Sequence, residues 1–275
     1  MKRRLGITAA AVLTAACLMI IDSRYSLETT GYSLSFSSLP AEFNGFRIVL
    51  LSDLHGMRFG KDNRRLAAAV LRCRPDLIVL GGDMLADSGE LRPLEELLQG
   101  IEGAAPVYSV SGNHEWYANC VPEANELMRS YGVRCLSNGF EPLYCGSGRI
   151  IVCGVEDRNG PAGMIKPEAL AAELRREYPN DFVLWLSHRN DSLELHPTLP
   201  VELVLSGHAH GGVIRLPFIG GLLSVHHRFG ADYEKGAYNE GGPTMLVSRG
   251  LGNSIAVPRI FNRPEIVCLT LKSLS

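Results

Sequence analysis

Five times in this chain a short, largely apolar run stops at a cluster of Gly, Asp, Asn or His. Residues 47–51 end at Ser52-Asp53, residues 76–80 at Gly81-Gly82-Asp83, and residues 106–110 run into Gly112-Asn113-His114. Residues 182–186 end at Ser187-His188, and residues 201–205 lead to Gly207-His208. Runs of this length suit strands buried on both faces. Between several of them lie segments with apolar residues at helical spacing, over 63–73, 91–101, 122–131 and 167–178, two of which open on Pro, a favoured first helical residue. The order predicts βαβ units in the first half. Further strands at 149–155, 244–247 and 265–271 make the second half richer in β. Ahead of these, Tyr32, Leu34 and Phe36 alternate with serines, which predicts a half-buried strand. The reading is one α/β domain over residues 25–275.

The residues before it read differently. Lys2, Arg3 and Arg4 precede an uncharged stretch over 5–21, which Asp22 and Arg24 close. A run of this length is at the short end for a membrane-spanning helix. It is expected to be an uncleaved signal anchor over residues 1–24, with the domain on the extracytoplasmic side of the cell membrane by the positive-inside rule. A cleaved signal peptide, a lipoprotein box at Cys17 and a twin-arginine signal at Arg3-Arg4 are the competing readings. The formal net charge of −2 offers no basic field for a nucleic-acid partner. The seven cysteines contain no C-x-x-C pair and read as small apolar residues, with disulfides left open.

The polar clusters carry the chemistry. In α/β sheets ligands bind at the carboxyl ends of strands, where every one of these clusters falls. Asp53-Leu54-His55 sets a carboxylate and an imidazole two residues apart, and in an extended segment such residues point the same way. Asp83 follows two glycines and has two oxygens with which to bridge two cations. Asn113 offers a neutral oxygen, and its neighbour His114 can donate a proton. Gly207-His208-Ala209-His210-Gly211-Gly212 repeats the two-apart spacing with imidazoles between glycines. His55, His114, His188, His208 and His210, five of the eight histidines, thus lie at strand ends. So many imidazoles and carboxylates beside an apolar core are costly to bury unless they are paired or bound to metal.

The set D-x-H, G-G-D, G-N-H-E, a lone His and G-H-x-H, in this order, resembles the calcineurin-like metallophosphoesterases, and the N-terminal apolar segment and Ser248-Arg249-Gly250-Leu251-Gly252 resemble their membrane-anchored bacterial branch. The resemblance implies an α/β fold with a central β-sandwich flanked by helices in four layers, behind an N-terminal membrane helix. It implies that Asp53, His55 and His210 hold one metal, that Asn113, His188 and His208 hold another, that Asp83 bridges them, and that His114 is the proton donor. Glu115 is a candidate to orient His114. A bridging hydroxide would then attack phosphorus. The mixed N/O donors suit Mn, with Fe, Zn, Co or Ni as alternatives, better than Ca.

Arg58, Arg189 and Arg249 are candidates to hold a phosphate or head group. The apolar run over 216–223 reads either as a lip for an acyl chain or bilayer or as a buried hairpin. The expected function is hydrolysis of a phosphodiester or pyrophosphate, with a lipid-linked substrate such as UDP-2,3-diacylglucosamine implied by the branch. A tethered phosphomonoesterase or nucleotide phosphodiesterase, and a non-catalytic scaffold, are the alternatives.

Overall fold

The continuous apolar runs form strands whose alternate residues enter two different cores. In β2 (Arg47–Leu51) Ile48 and Leu50 join one cluster while Val49 and Leu51 join another. In β7 (Gly148–Val155) Ile150 and Val152 share the first of these, while Ile151, Cys153 and Val155 enter a third. The shared cluster therefore lies between two sheets, and each outer cluster lies under helices. This is the reason the strands show no polar face. The computed structural model describes residues 2–216, 218–223, 232–255 and 257–274, without the side chains of residues 2–12 and 223.

The first sheet runs β1 (Glu28–Phe36), β14 (Glu265–Ser273), β2, β3 (Leu77–Leu80), β4 (Val107–Ser109) and β5 (Arg134–Cys135). Strands β2 to β5 are parallel, and β14 is antiparallel to β2. The second sheet runs β12 (Gly236–Tyr238), β13 (Thr244–Val247), β9 (Leu203–Ser206), β8 (Phe182–Ser187), β7 and β6 (Gly139–Cys145). Here β7, β8, β9 and β13 are parallel, with antiparallel strands at both edges. Helices α2 (Arg64–Arg72), α3 (Arg92–Ile101) and α5 (Val121–Ser130) contribute to the outer core of the first sheet, and α6 (Pro167–Glu177) to that of the second. Two short helices, α4 (Asn113–Tyr117) and α7 (Ser192–Leu195), follow strand ends. The four layers, the four longer helices and the half-buried β1 follow the sequence reading. Strand β6 escaped it because Gly139 and Pro142 interrupt its pattern, which an edge strand tolerates.

The N-terminal reading is corrected. Residues Lys2–Tyr25 form helix α1, but among the described residues no helix is long and apolar enough to cross a membrane. The expected membrane anchor fails on this finding, and with it the membrane-anchored branch, the membrane partner and the extracytoplasmic placement. The uncharged stretch 5–21 has 17 residues. At 1.5 Å per residue that is roughly 25 Å, short of a hydrocarbon core of about 30 Å. The end of α1 is instead tied to the domain, with Arg263 Nε and Nη2 donating to the Asp22 carboxylate at 2.7 and 2.9 Å. Met1 and the side chains of residues 2–12, on which part of the anchor reading fell, lie outside the described residues.

All seven cysteines are free, and only Cys120 and Cys153 are buried as small apolar residues. Residues Ile214–Leu216 and Gly220–Leu223 form an antiparallel hairpin, β10 and β11, whose tip leaves Phe218 and Ile219 exposed. The run is thus a hairpin but not a buried one.

Candidate metal centre

The parallel strands of both sheets deliver their polar clusters to one end of the sandwich. Asp53 and His55 follow β2, Asp83 follows β3, Asn113 and His114 open α4 after β4, His188 follows β8, and His208 and His210 follow β9. The local route differs from the extended spacing read in the sequence. Asp53 and His55 have φ of 52° and 46°, Asp83 of 53°, and His208 and His210 of 65° and 48°. The D-x-H and H-x-H pairs therefore converge through left-handed turns, not along extended chain. For side chains with a Cβ this conformation is uncommon and concentrates at functional sites.

Backbone hydrogen bonds hold these turns. Asp53 N–H donates to Gly82 O at 2.9 Å and His55 N–H to Asp83 O at 3.0 Å, which joins the first two loops. His208 N–H donates to both Asp53 oxygens, at 3.0 and 3.2 Å. His114 N–H donates to Asp83 Oδ1 at 2.8 Å. Glu115 accepts from the N–H groups of Asp83, Leu85 and Gly112 at 2.9, 2.9 and 2.8 Å. It shapes the loop that carries Asp83, and the expectation that it orients His114 is corrected. Asp87 contacts His114 Nδ1 instead. Burial, with Asp83 close by, raises the Glu115 carboxyl above its ordinary range.

Two triads place their donor atoms within 4.8 Å of one another: Asp53, His55 and His210, and Asp83, His188 and His208. A third, His55, Asp83 and His114, overlaps both. Asp83 Oδ2 lies between the first two, 3.8 Å from His55 Nε2 and 3.1 Å from His188 Nε2. In the first triad His55 Nε2 and His210 Nε2 face each other at 3.2 Å, and His210 Nε2 is 3.5 Å from Asp53 Oδ1.

These residues fit cations. His188 Nδ1 lies 2.8 Å from Gly81 O, so a neutral ring that donates there turns a bare Nε2 toward the Asp83 oxygen. Two acceptors in contact need a proton or a cation between them. Asn113 is 6% exposed, and its Oδ1 is buried without a hydrogen-bond partner. An orphaned amide oxygen is costly unless it meets a ligand. Burial holds His55 down to about 4 and His210 well below the usual imidazole range, so both rings are neutral donors of lone pairs. Burial also lifts Asp53 to about 6. Burial opposes the charge of His188 as well, but Asp83 outweighs it and lifts the ring to about 10; in return His188 holds Asp83 low against its own burial. Without metal, a proton thus takes up the place between them.

The cleft at this centre has a volume of about 210 Å³, and Asp83, Asn113, His114, Tyr117, Arg189 and Ser254 are among its walls. Arg189 is gripped by Asp157 through Nε at 2.7 Å and Nη2 at 3.1 Å, and its Nη1 is 3.4 Å from His208 Nε2. The other two candidate arginines lie apart from the cleft. Arg58 pairs with Glu90 and Glu96 at 2.9 Å each, and buried Arg249 pairs with Glu28 and Glu265 at 3.1 Å each. Sequence reasoning missed Asp87, Tyr117 and Arg259, whose Nη2 is 3.2 Å from His210 Nδ1. The G-G-D motif carried a faint sign of Asp87 four residues on; nothing marked Arg259.

The glycine of G-N-H-E is required by close approach. A Cβ on Gly112 would sit 2.1 Å from Asp83 Oδ1 and 2.5 Å from Asp83 N. Gly112→Ala is therefore expected to displace Asp83 and weaken metal retention by at least ~10–100-fold, the scale seen when the support of a ligand is disturbed. Metal content after dialysis checks this, and a variant that retains metal like the parent would refute it.

The sequence pattern of the calcineurin-like phosphoesterase family matches residues 46–212, which begins beside β2 and ends just past His210. The chain is 30% identical over 258 residues to the metallophosphoesterase YkuE of Bacillus subtilis (strain 168), covering 90% of this chain and 87% of that protein. It is 30% identical over 234 residues to the phosphodiesterase YaeI of Escherichia coli (strain K12), covering 82% of each.

Proposed function

The chain belongs to the calcineurin-like phosphoesterases and is a metal-dependent phosphohydrolase with a dinuclear site, and on that premise we propose that it cleaves a phosphodiester or diphosphate bond in the cleft beside His114. The observation that carries the reading is the pair of buried triads meeting at Asp83, with the orphaned Asn113 oxygen beside them. In this reading Asp53, His55 and His210 hold one ion, Asn113, His188 and His208 hold the other, and Asp83 serves both. Bound there, two ions, with Mn favoured and Fe, Zn, Co or Ni as alternatives, would acidify a water and draw charge from the phosphoryl oxygens.

The rest falls to the chain itself. His114 stands at the cleft wall, positioned to protonate the departing oxygen, and Asp87 fixes its ring through Nδ1. Arg189, held in a fork by Asp157, meets a non-reacting phosphoryl oxygen. Of the three candidate arginines it is the one we assign to substrate. The name of the E. coli relative, a phosphodiesterase, supports the diester class. A lipid-linked diphosphate such as UDP-2,3-diacylglucosamine is the specific substrate this reading nominates, with the exposed apolar hairpin tip in its support.

The test compares kcat/KM for bis-p-nitrophenyl phosphate, p-nitrophenyl phosphate and UDP-2,3-diacylglucosamine on the Mn²⁺-loaded protein. The diester is expected to exceed the monoester by at least ~10-fold, a difference of about 1.4 kcal/mol in transition-state binding. Preference for the monoester would replace this reading with a broad phosphomonoesterase. Absence of uridine monophosphate release would remove the lipid-linked substrate alone.

A further inference from the structure

Asn113 is the one uncharged, non-imidazole donor of the centre, and its Oδ1 has no hydrogen bond to steer it. An amide oxygen carries no net charge to draw a cation in, so it ligates only where the backbone places it. That backbone is α4, which has five residues. A helix so short has little stability of its own and depends on outside ties. Glu115 ties its start to the Asp83 loop, on the side of the first sheet. A tie to the second sheet, which carries His188 and His208, comes from Glu156.

Glu156 and Asp157 follow β7 directly, and both are buried. Trp116 Nε1 donates to Glu156 Oε1 at 2.8 Å, and Ser111 Oγ donates to the same oxygen. Ser137 Oγ donates to Oε2 at 2.7 Å. Ser111 and Trp116 stand two residues before and three after Asn113, so this one carboxyl group holds the segment on both sides of the ligand. Asp157 grips Arg189, the residue after His188, at 2.7 and 3.1 Å. Strands β7 and β8 are parallel with Val155 opposite Ser187, so the acidic pair runs beside His188 and Arg189. Two consecutive side chains thus hold what lies on either side of one metal position, α4 from the first sheet and the end of β8 from the second.

We propose that Glu156 and Asp157 are a positioning pair that sets Asn113 opposite His188 and thereby fixes the affinity of the ion these two share with His208. Glu156 acts through Ser111 and Trp116, Asp157 through Arg189, and neither touches the ion. The inference rests on the assignment of Asn113, His188 and His208 to one ion. It makes the two metal positions unequal in their support, since the Asp53, His55 and His210 position does not depend on α4.

Stepwise Mn²⁺ binding to the full chain, followed by calorimetry with bound metal counted by elemental analysis, tests it. In Glu156→Ala one binding step is expected to weaken by ~10–100-fold, the scale on which the support of a ligand acts, while the other stays within about threefold. Glu156→Gln should recover most of the loss, because its amide oxygen can take the Oε1 place and its NH₂ can donate to the Ser137 hydroxyl. Trp116→Phe keeps a ring and removes one donor, and should weaken the same step by about threefold to tenfold, whether or not Glu156→Ala folds. Asn113→Ala identifies the step: in that background Glu156→Ala should add less than about threefold, because its effect passes through Asn113. Equal weakening of both steps, unchanged binding in Trp116→Phe, or additive losses in the double variant would overturn the positioning pair. The number of ions held by the parent protein reports separately on the dinuclear reading. Two ions with neither step sensitive to Glu156→Ala keep the dinuclear centre and sink the pair; a single ion that is sensitive does the reverse.

Discussion

Asp83→Asn is expected to lower phosphodiester turnover by more than about 10³-fold and to take most of the bound metal with it. Asp83 is the residue the two triads have in common by position, 3.1 Å from His188 Nε2 in one and 3.8 Å from His55 Nε2 of the other. Its second oxygen accepts the His114 N–H at 2.8 Å. Asparagine keeps the volume but removes one unit of negative charge and one oxygen donor. Two cations would then face each other with less charge between them. Elemental analysis after gel filtration, beside a turnover assay, measures both effects. Full metal content with turnover within tenfold of the parent would show that Asp83 does not join the ions.

His114→Ala should separate chemistry from metal binding. The loss is expected to reach about 10²–10⁴-fold for alkyl esters, the usual range for general acid catalysis, and to stay under roughly tenfold for p-nitrophenyl esters. A good leaving group needs no proton, so the ratio of the two losses identifies the role. Metal content should not change. The geometry also admits a rival, since His55, Asp83 and His114 form a candidate triad of their own. If the variant loses metal in proportion to activity, His114 is a ligand and the assignment fails. Asp87→Asn should give the same leaving-group pattern at smaller size, because Asp87 reaches the reaction only through the His114 ring.

The sequence was most legible where burial dictates pattern. Uninterrupted runs such as 182–186 are typical of strands covered on both sides, and Val183 and Leu184 indeed enter different cores. The strand-end positions of Asp53, Asp83, Asn113, His188 and His208 follow from where those runs stop. The manner of convergence was not legible. Five of the residues brought together at the centre occupy left-handed backbone, a conformation that Asp and His adopt more often than most side chains but that spacing alone does not assign to a position. Long-range partners were hidden too: Asp87 meets His114 across 27 positions and Arg259 meets His210 across 49. Arg58 and Arg249 looked like substrate ligands because they adjoin motifs, yet nearby carboxylates claim both. The N-terminal helix misled through composition. Its apolar residues suggested a bilayer, whereas its charged flank at Asp22 bonds to Arg263 of the domain.

If one buried cluster holds two catalytic ions, activity must follow metal stoichiometry. The protein is stripped with chelator and titrated with Mn²⁺ while bound metal and bis-p-nitrophenyl phosphate turnover are followed together. The stripped protein is expected to show no turnover, and full turnover is expected only as the second ion per chain binds. Turnover that survives the chelator, or that is complete with a single ion bound, would contradict it.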